Sequence, residues 1–497
     1  MKTINDFLCE PRLLDMELRS RDFQLITEPV IQALIAANNE EPVLFRHRGV
    51  LVWFEFDDSG KPSFREITLD RMRHLLARRF TWNRVAKGGE LIPTSPPADV
   101  VRDILASPNI AFPVVERIVH VPVFGPDGKI HTEPGYNPAT RCVYLPCRGM
   151  DAITAVSDDP NSHEIATALG LFYELVNDFS FVGPGDIHTL AAMLVPFARA
   201  FIRGSTPLHL FEKPKPGTGA TLLAQAICDI CVGVPVAAMT ESRSDDEFSR
   251  KIHSKLRSGP AVILLDNLRI RLDSAALAAA LTNDVIEDRI VQRSEMESAN
   301  ATCLWLGTAN NPSLSAEMAR RTIPIRLDAK MAQPHTRQKF LHTDLRAWVR
   351  ENHARLVWAM LTLIQARIAA GCPKGTTRLG MYESYSEVIG GILDVATVGD
   401  AFLDLEEQAR LEDDEHGLDQ LISKWHEQYQ FKPVGVAELY PLCTEVDLGG
   451  KTEKEQKAYL GRLLRANRDC QIGDFVVLEA GKRHGSRLWQ LVAATDK

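Results

Sequence analysis

Between residues 206 and 328 the runs PLHLFE, PVAAMTE, AVILLDNL, TCLWLGTANN and TIPIRLD alternate with helical stretches. Each run is long enough for one strand, and polar or turn residues bound every one. Runs that are apolar throughout, rather than alternating, predict strands covered on both faces. Interleaved helices predict parallel crossovers. The expected fold class is α/β, with a buried parallel sheet at its core.

Other segments read differently. PVLFRHRGVLVWFEF alternates and is rich in Val and Phe, as a strand pair should be, with DSGKP as its turn. TLDRMRHLLARRF (68–80) reads as a helix capped by Thr68, and PPADVVRDILAS as another with Pro and Asp at its start. The Pro- and Gly-rich passage 124–146 puts a boundary near residue 150. Residues 163–203 are predicted helical, and HTLAAMLVPFARAFIRG carries a broad apolar face. DLRAWVRENHARLVWAMLTLIQARIAAG predicts one long amphipathic helix ending at Gly371 and Pro373. The acidic stretch 403–419 reads as a solvated face or linker. The chain then closes with a helix, a basic helix and a strand–turn–strand, the element order of a winged helix with GKRHGSR as the wing.

The expected organisation is an N-terminal α+β domain (1–150), a helical linker or collar (151–205), the sheet core (206–330), a helical lid and linker (331–430) and a C-terminal winged-helix domain (431–497). A chain of 497 residues is long enough for about two to four domains. Its core needs no metal or disulfide staple. The net charge of −8 excludes a uniformly basic coat, though not a local basic patch. The opening MKTINDFLCEPRLLDMELRS has no apolar core of a signal peptide, and no apolar run approaches a membrane span. The nine scattered cysteines suit a reducing compartment, so a cytoplasmic protein with no membrane partner is expected. Cys228 and Cys231 form a C-x-x-C, read as buried structural cysteines in a helix, with metal or redox chemistry as the other possibility.

FEKPKPGTGATLLAQAI (211–227) holds the chemistry. A phosphate-binding loop, G-x-x-x-x-G-K-[ST], turns successive backbone N–H groups into one concavity beside a helix N-terminus. Gly217, Thr218, Gly219, Ala220 and Thr221 can form that path, and the Thr221 hydroxyl can meet a magnesium ion. Taken alone, the same letters also make a tight strand-to-helix turn. The run AVILLDNL adds a strand ending in Asp266, suited to hold Mg²⁺. Asn267 stands where many such ATPases carry a water-activating glutamate. TCLWLGTANN delivers Asn310 or Asn311, either of which could orient an attacking water. EMARRTIPIRLD presents Arg320 and Arg321, which could reach a neighbouring subunit's nucleotide or simply cap a helix end.

With those residues in view, 200–345 resembles the AAA+ core and, more narrowly, the superfamily 3-like helicase module of phage and mobile-element primase–helicases. The parts that carry it are the loop, DVIEDRIVQRSEM, LGTANNP and EMARRTIPIRLD, in one order over about 120 residues. The winged-helix end fits the same family. The resemblance implies an ATP- and Mg²⁺-dependent hexameric ring, or an ATP-dependent oligomer, acting as a DNA helicase in the replication of a phage, plasmid or integrative element. Single-stranded or forked DNA and primase or replication proteins would be its partners. It implies a pore hairpin between Val285 and Ala301, where Arg289 and Arg293 would contact phosphates unless they pair with Asp288 or Glu295. Over residues 1–140 it is vaguer, with no primase catalytic carboxylates recognised, and primer synthesis, origin binding and partner docking all stay open for that part.

The loop departs from the family twice: Pro214 replaces the first glycine and Ala220 the lysine. Losing the lysine removes a charge-assisted contact worth on the order of 1.5–3 kcal/mol. Lys213 or Lys215 could supply the charge from the other side of the loop. Otherwise the chain is a hydrolysis-impaired, nucleotide-gated DNA-binding or loading factor, or Ala220 is an engineered change that traps the bound state. At the C-terminus, Lys454, Lys457, Arg462, Arg465 and Arg468 lie along one helix, and Lys482, Arg483, His484 and Arg487 crowd the wing. DNA binding and protein docking are the two readings of that surface.

Overall fold

The structure is a computed structural model. It describes residues 2–18, 22–108, 110–213, 217–242, 244–268, 271–289, 296–310, 312–329, 337, 339–403, 405, 420–443, 448, 452–468, 471–472, 475–483 and 486–493. The acidic stretch beyond 405, up to 419, lies outside the described residues.

The N-terminal unit opens with α1 (Ile4–Cys9), β1 (Leu14–Leu18) and α2 (Phe23–Ala37), followed by the antiparallel meander β2 (Leu44–His47), β3 (Val50–Phe56) and β4 (Pro62–Glu66). The meander is the strand pair expected from its Val/Phe alternation, with one strand more. Next comes α3 (Leu69–Arg79), with Thr68 accepting from the Arg71 N–H at its N-terminus and Arg78 and Arg79 in the last turn, each placed where the helix dipole favours it. β5 (Phe80–Val85) pairs parallel with β1 and antiparallel with β6 (Leu91–Pro93), and α4 (Ala98–Ala106) packs against α3. After β7 (Arg117–Val119), the Pro- and Gly-rich passage forms only short strands: β8 (Val123–Phe124), β9 (Ile130–His131), β10 (Gly135–Asn137) and β11 (Cys142–Tyr144). β11 pairs parallel with β7.

The expected helical run 163–203 is two helices, α5 (Ser162–Val176) and α6 (Gly185–Ala198), separated by the short strand β12 (Phe181–Val182). Every residue of α6 from His188 to Ala198 is buried, as a helix apolar all round must be.

The sheet core then follows: β13 (Leu208–Lys213), α7 (Ala220–Val232), α8 (Asp245–Leu256), β14 (Val262–Leu268), β15 (Arg271–Leu272), α9 (Ala275–Thr282), the hairpin β16 (Val285–Arg289) and β17 (Met296–Asn300), β18 (Leu304–Asn310), β19 (Ser313–Leu314), α10 (Ala316–Ala319) and β20 (Thr322–Leu327). The central sheet runs β12-β20-β13-β18-β14, and its strands are parallel except for β12 at the edge. Period-two alternation splits the side chains into two cores. Phe211, Leu264, Leu306, Ile323 and Ile325 join α6 and α7, whereas Leu208, Leu210, Ile263, Leu265 and Trp305 join α8 and α9. PVAAMTE, expected as a strand, forms a single parallel bridge from Met239 to Leu265. Pro235 lacks a donor there, and alanines offer a neighbouring strand little to pack on.

The long helix expected after 330 is also two, α11 (Leu345–Glu351) and α12 (His353–Ala369). The break falls at Asn352, which leaves the helical range at φ −102° and ψ +12° and whose side-chain amide shares the Trp348 carbonyl with its own N–H, at 3.0 and 2.9 Å. α12 ends at Gly371 as expected, with φ +84°. α13 (Glu383–Val395) packs on α12 and α6.

The C-terminal unit holds α14 (420–429), β21 (Val434–Gly435), α15 (Val436–Leu439), α16 (Glu453–Ala466), β22 (Gln471–Ile472), β23 (Phe475–Arg483) and β24 (Ser486–Ala493). Its sheet order is β21-β24-β23-β22, over a core that includes Trp425, Leu460, Leu464 and Trp489. Among the described residues no helix is long and apolar enough to cross a membrane.

His209, in β13, is fully buried and meets the Tyr385 hydroxyl at 2.8 Å. Burial pushes its pKa down from 6.5 to about 3. Between those values the unfolded chain takes up the proton and the folded chain does not. Stability is therefore complete above about pH 6.5 and drains as pH falls towards 3. From pH 6.5 to 5 the loss through this one group is about 2 kcal/mol. Urea unfolding midpoints are expected to drop over that range, and to drop less in His209→Gln, which isolates this histidine from the other buried ones.

Candidate functional site

The candidate site forms where three neighbouring parallel strands end. β13 runs into the glycine turn, whose residues 214–216, Lys215 among them, lie outside the described residues. Gly217 and Gly219 both have φ +90°, a conformation that side chains with a Cβ rarely adopt. At Gly219 an added Cβ would also come within 2.8 Å of the Phe179 ring. That ring packs directly on the turn. α7 begins at Ala220, so the turn opens onto a helix N-terminus.

Asp266 reaches the same place from β14. Its register against β18 shifts between Leu265 and Leu268, a bulge that re-aims the carboxylate at the end of the strand. Thr221 donates to Asp266 Oδ1 at 3.1 Å, joining the first turn of α7 to a strand end 45 residues later. Thr308, buried in β18, donates to the same oxygen at 2.7 Å and accepts the Asn267 N–H at 2.9 Å. Asn267 is exposed and sits at φ +57°, the left-handed region that asparagine tolerates best among non-glycine residues.

Asn310 ends β18 directly opposite Lys213, the last residue of β13. Its Oδ1 is buried with no hydrogen-bond partner among the described residues, and the same is true of Thr218 Oγ1 in the turn. Buried polar atoms normally find partners. Asn310 ends a strand and Thr218 stands in the glycine turn, and both oxygens have hydrogen-bonding capacity that the described residues do not use. The oxygens of Thr221 and Asp266 are hard donors and fit magnesium, which takes one or two protein ligands and fills the rest from phosphate and water. The lysine position is different: Ala220 is fully buried in the core beneath α7.

The two arginines have separate fates. Arg321 is engaged within its own chain: it donates to the Thr282 hydroxyl at 2.8 Å and the Glu317 carbonyl at 2.6 Å, and pairs with the Glu317 carboxylate at 3.2 Å. Arg320 is exposed, with no ion-pair partner among the described residues. The antiparallel pair β16–β17 is present, with Val285 opposite Asn300 at its open end and Arg289 opposite Met296 at the end next to residues 290–295. The side chain of Arg289, and Arg293 altogether, lie outside the described residues.

The C-terminal cations are partly spent. Arg483 pairs with Glu438 at 2.7 Å, Arg487 with Glu479 at 3.0 Å and Lys457 with Glu453 at 2.5 Å. Arg462 and Arg465 remain exposed on α16, with the Arg462 guanidinium 5.6 Å from the centre of the Tyr459 ring. The Lys482 side chain and His484 lie outside the described residues. Cys228 and Cys231 are buried in α7, as expected of structural cysteines, and burial pushes the Cys228 thiol up to about 12.

Sequence reasoning missed Thr308 and Phe179. Thr308 stands in the quoted run LGTANNP, where a hydroxyl two residues before the strand-end Asn was the available signal. Phe179 precedes the sheet core and carries no local signature. Against models of known protein families, and against characterised proteins, the chain finds no match.

Proposed function

We propose that the chain is a nucleotide-dependent, oligomeric DNA-acting protein of the AAA+, superfamily 3-like helicase kind, with an atypical phosphate loop. The contact that carries the reading is Thr221 to Asp266, which ties a glycine turn at a helix N-terminus to an acidic strand end. In a parallel sheet whose strand order reverses, ligands bind outside the carboxyl ends of the strands, where these residues lie. In this reading the 217–221 backbone cradles the phosphates of ATP, and Thr221 and Asp266 hold Mg²⁺. The ion, when bound, neutralises charge on the phosphate oxygens. Asn310 orients the attacking water, and Arg320, rather than Arg321, reaches the neighbouring subunit. The 285–300 hairpin and the cations of α16, in a winged-helix C-terminal domain, contact DNA.

A second reading has its own support. Ala220 is buried where the family's lysine stands, and Asn267 is exposed where its glutamate stands. Both favour a factor that binds nucleotide and DNA with little or no turnover.

The test is sedimentation and ATP turnover of the full chain, with and without single-stranded DNA. ATP-dependent association and DNA-stimulated turnover are expected. Arg320→Ala is expected to keep nucleotide binding and lose turnover by about 10³-fold, the lower end for a finger acting in trans. Association and DNA binding without turnover would select the second reading. A chain that stays monomeric in every nucleotide state, with no ATP bound, would sink both.

A further inference from the structure

A cavity of about 900 Å³ lies between the N-terminal unit and the sheet core, and none of the residues of the strand-end site line it. Six cationic residues, Lys61, Arg117, Arg141, Arg199, Lys255 and Arg257, line it against one carboxylate, Glu116. The chain as a whole is acidic, with a net charge of −8, so this concentration of positive charge is local and opposed to the average. From this cavity we infer a binding site for a small phosphate-bearing molecule of the nucleoside di- or triphosphate class, separate from the strand-end site.

The cations come from both units. Lys61 is at the β3–β4 turn, Arg117 starts β7 and Arg141 precedes β11. Arg199 follows α6, and Lys255 and Arg257 end α8. Three of the six have other commitments. Arg199 donates to the carbonyls of Thr302, Ile202 and Gly204. Arg257 pairs with Glu297 at 2.8 Å, and Arg141 loosely with Glu116 at 3.8 Å. Lys61, Arg117 and Lys255 have no carboxylate within ion-pair distance among the described residues. Behind them Arg48 donates to the Leu256 carbonyl at 3.0 Å, adding another cation against the same wall. Like charges gathered in a partly enclosed space repel one another unless a counter-anion sits among them.

The ligand's size and shape follow from the walls. The volume lies within the range of small-molecule sites, about 300–1,000 Å³. The lining also holds Val119, Val121, Val232 and Val236, which suit a ligand with a non-polar body as well as anionic groups. A strand of nucleic acid would want a row of free aromatic rings for its successive bases, whereas the single base of a nucleotide can rest on an apolar wall. The rings here are already used: Phe124 is 2% exposed, and Phe64 packs against Phe45 and Phe54 at 5.6 and 6.0 Å. Guanidinium and ammonium groups contributed by both units suit a multiply charged phosphate chain. Bound there, it would clamp the N-terminal unit onto the core, across the turn where Gly259 already lies against the Glu116 carbonyl.

Calorimetric titration of the full chain with ADP, tripolyphosphate and an oligothymidylate, with hydrogen exchange as a second readout, tests the assignment. The strand-end site is intact in Arg117→Glu/Lys255→Glu, so the difference from the native chain reports the cavity. ADP and tripolyphosphate are expected to lose a binding event in the double variant, with affinity there falling on the order of tenfold or more. The exposed control Arg102→Gln retains it. ADP is expected to slow exchange over 117–121 and 255–260 in the native chain. Should the double variant not fold, Lys255→Gln is read by the same exchange protection, which is then expected to weaken. Equal ADP binding in native and cavity variants, with no protection of those segments, overturns the proposal. So does an oligothymidylate that binds the cavity when ADP does not, which would give the space to a nucleic-acid strand.

Discussion

Asp266→Asn is expected to lower Mg²⁺-dependent ATP turnover by about 10²–10³-fold while leaving the fold intact. The amide keeps the shape of the carboxylate and one carbonyl oxygen. That oxygen can still accept from Thr221 and from Thr308, the two hydroxyls that meet Asp266 Oδ1 at 3.1 and 2.7 Å. What it loses is the negative charge, which is the part a divalent ion responds to. Asp266→Ala removes the oxygen as well. The buried Thr308 hydroxyl then has no acceptor, at a cost of about 1–3 kcal/mol in stability. The pair of variants therefore separates two roles of one side chain. Thermal midpoints should be near native for the amide and lower for alanine, while both lose turnover. In a native chain that turns over very little, the same contrast is read in Mg²⁺-dependent nucleotide affinity. Equal Mg²⁺ dependence in the native chain and Asp266→Asn would show that Asp266 serves only to tie α7 to β14.

Much of this site could be read from the chain because each part ends an element. A strand end is marked by a change from apolar to polar letters, so Asp266 and Asn310 stood out, and glycines mark the turn. The sheet was legible for the same reason: four of its five expected runs are strands, apolar on both faces. PVAAMTE fell short because pairing depends on a partner edge and not on composition alone. Helix interruptions were less visible. α11 and α12 part at Asn352, where the backbone leaves the helical range, and nothing in the apolar period announces it. The contacts that cross between segments were hidden altogether. Phe179 lies against Gly219 across 40 positions of chain, and the cavity gathers its cations from between residues 61 and 257. The fate of the arginine pair was hidden too, since only the packed structure shows Arg321 held by Thr282 and Glu317 while Arg320 is left exposed.

Ala220→Lys is expected to raise ATP turnover by about 10- to 100-fold, the rate equivalent of a charge-assisted contact worth roughly 1.5–3 kcal/mol. Residue 220 opens α7, and a helical Cα–Cβ bond tilts towards the helix N-terminus, here towards the glycine turn. A lysine stem can follow that direction over the apolar wall and place its ammonium in the concavity. The site is fully buried and filled by a methyl group, so the longer stem overpacks it by about 1–3 kcal/mol. The thermal midpoint should therefore fall without nucleotide and recover with saturating ATP and Mg²⁺, because a ligand that binds only the folded chain stabilises it. Three outcomes then have distinct meanings. A gain in turnover says that the phosphate cradle is sound and lacks only its cation. No gain, together with native turnover that disappears in Lys215→Ala, says that a lysine inside the loop already supplies the charge. Lower stability that ATP does not restore says that the pocket beneath α7 is plain core and that a lysine at 220 does not meet a nucleotide. The three are separable because one substitution tests charge through the rate and volume through the melting point.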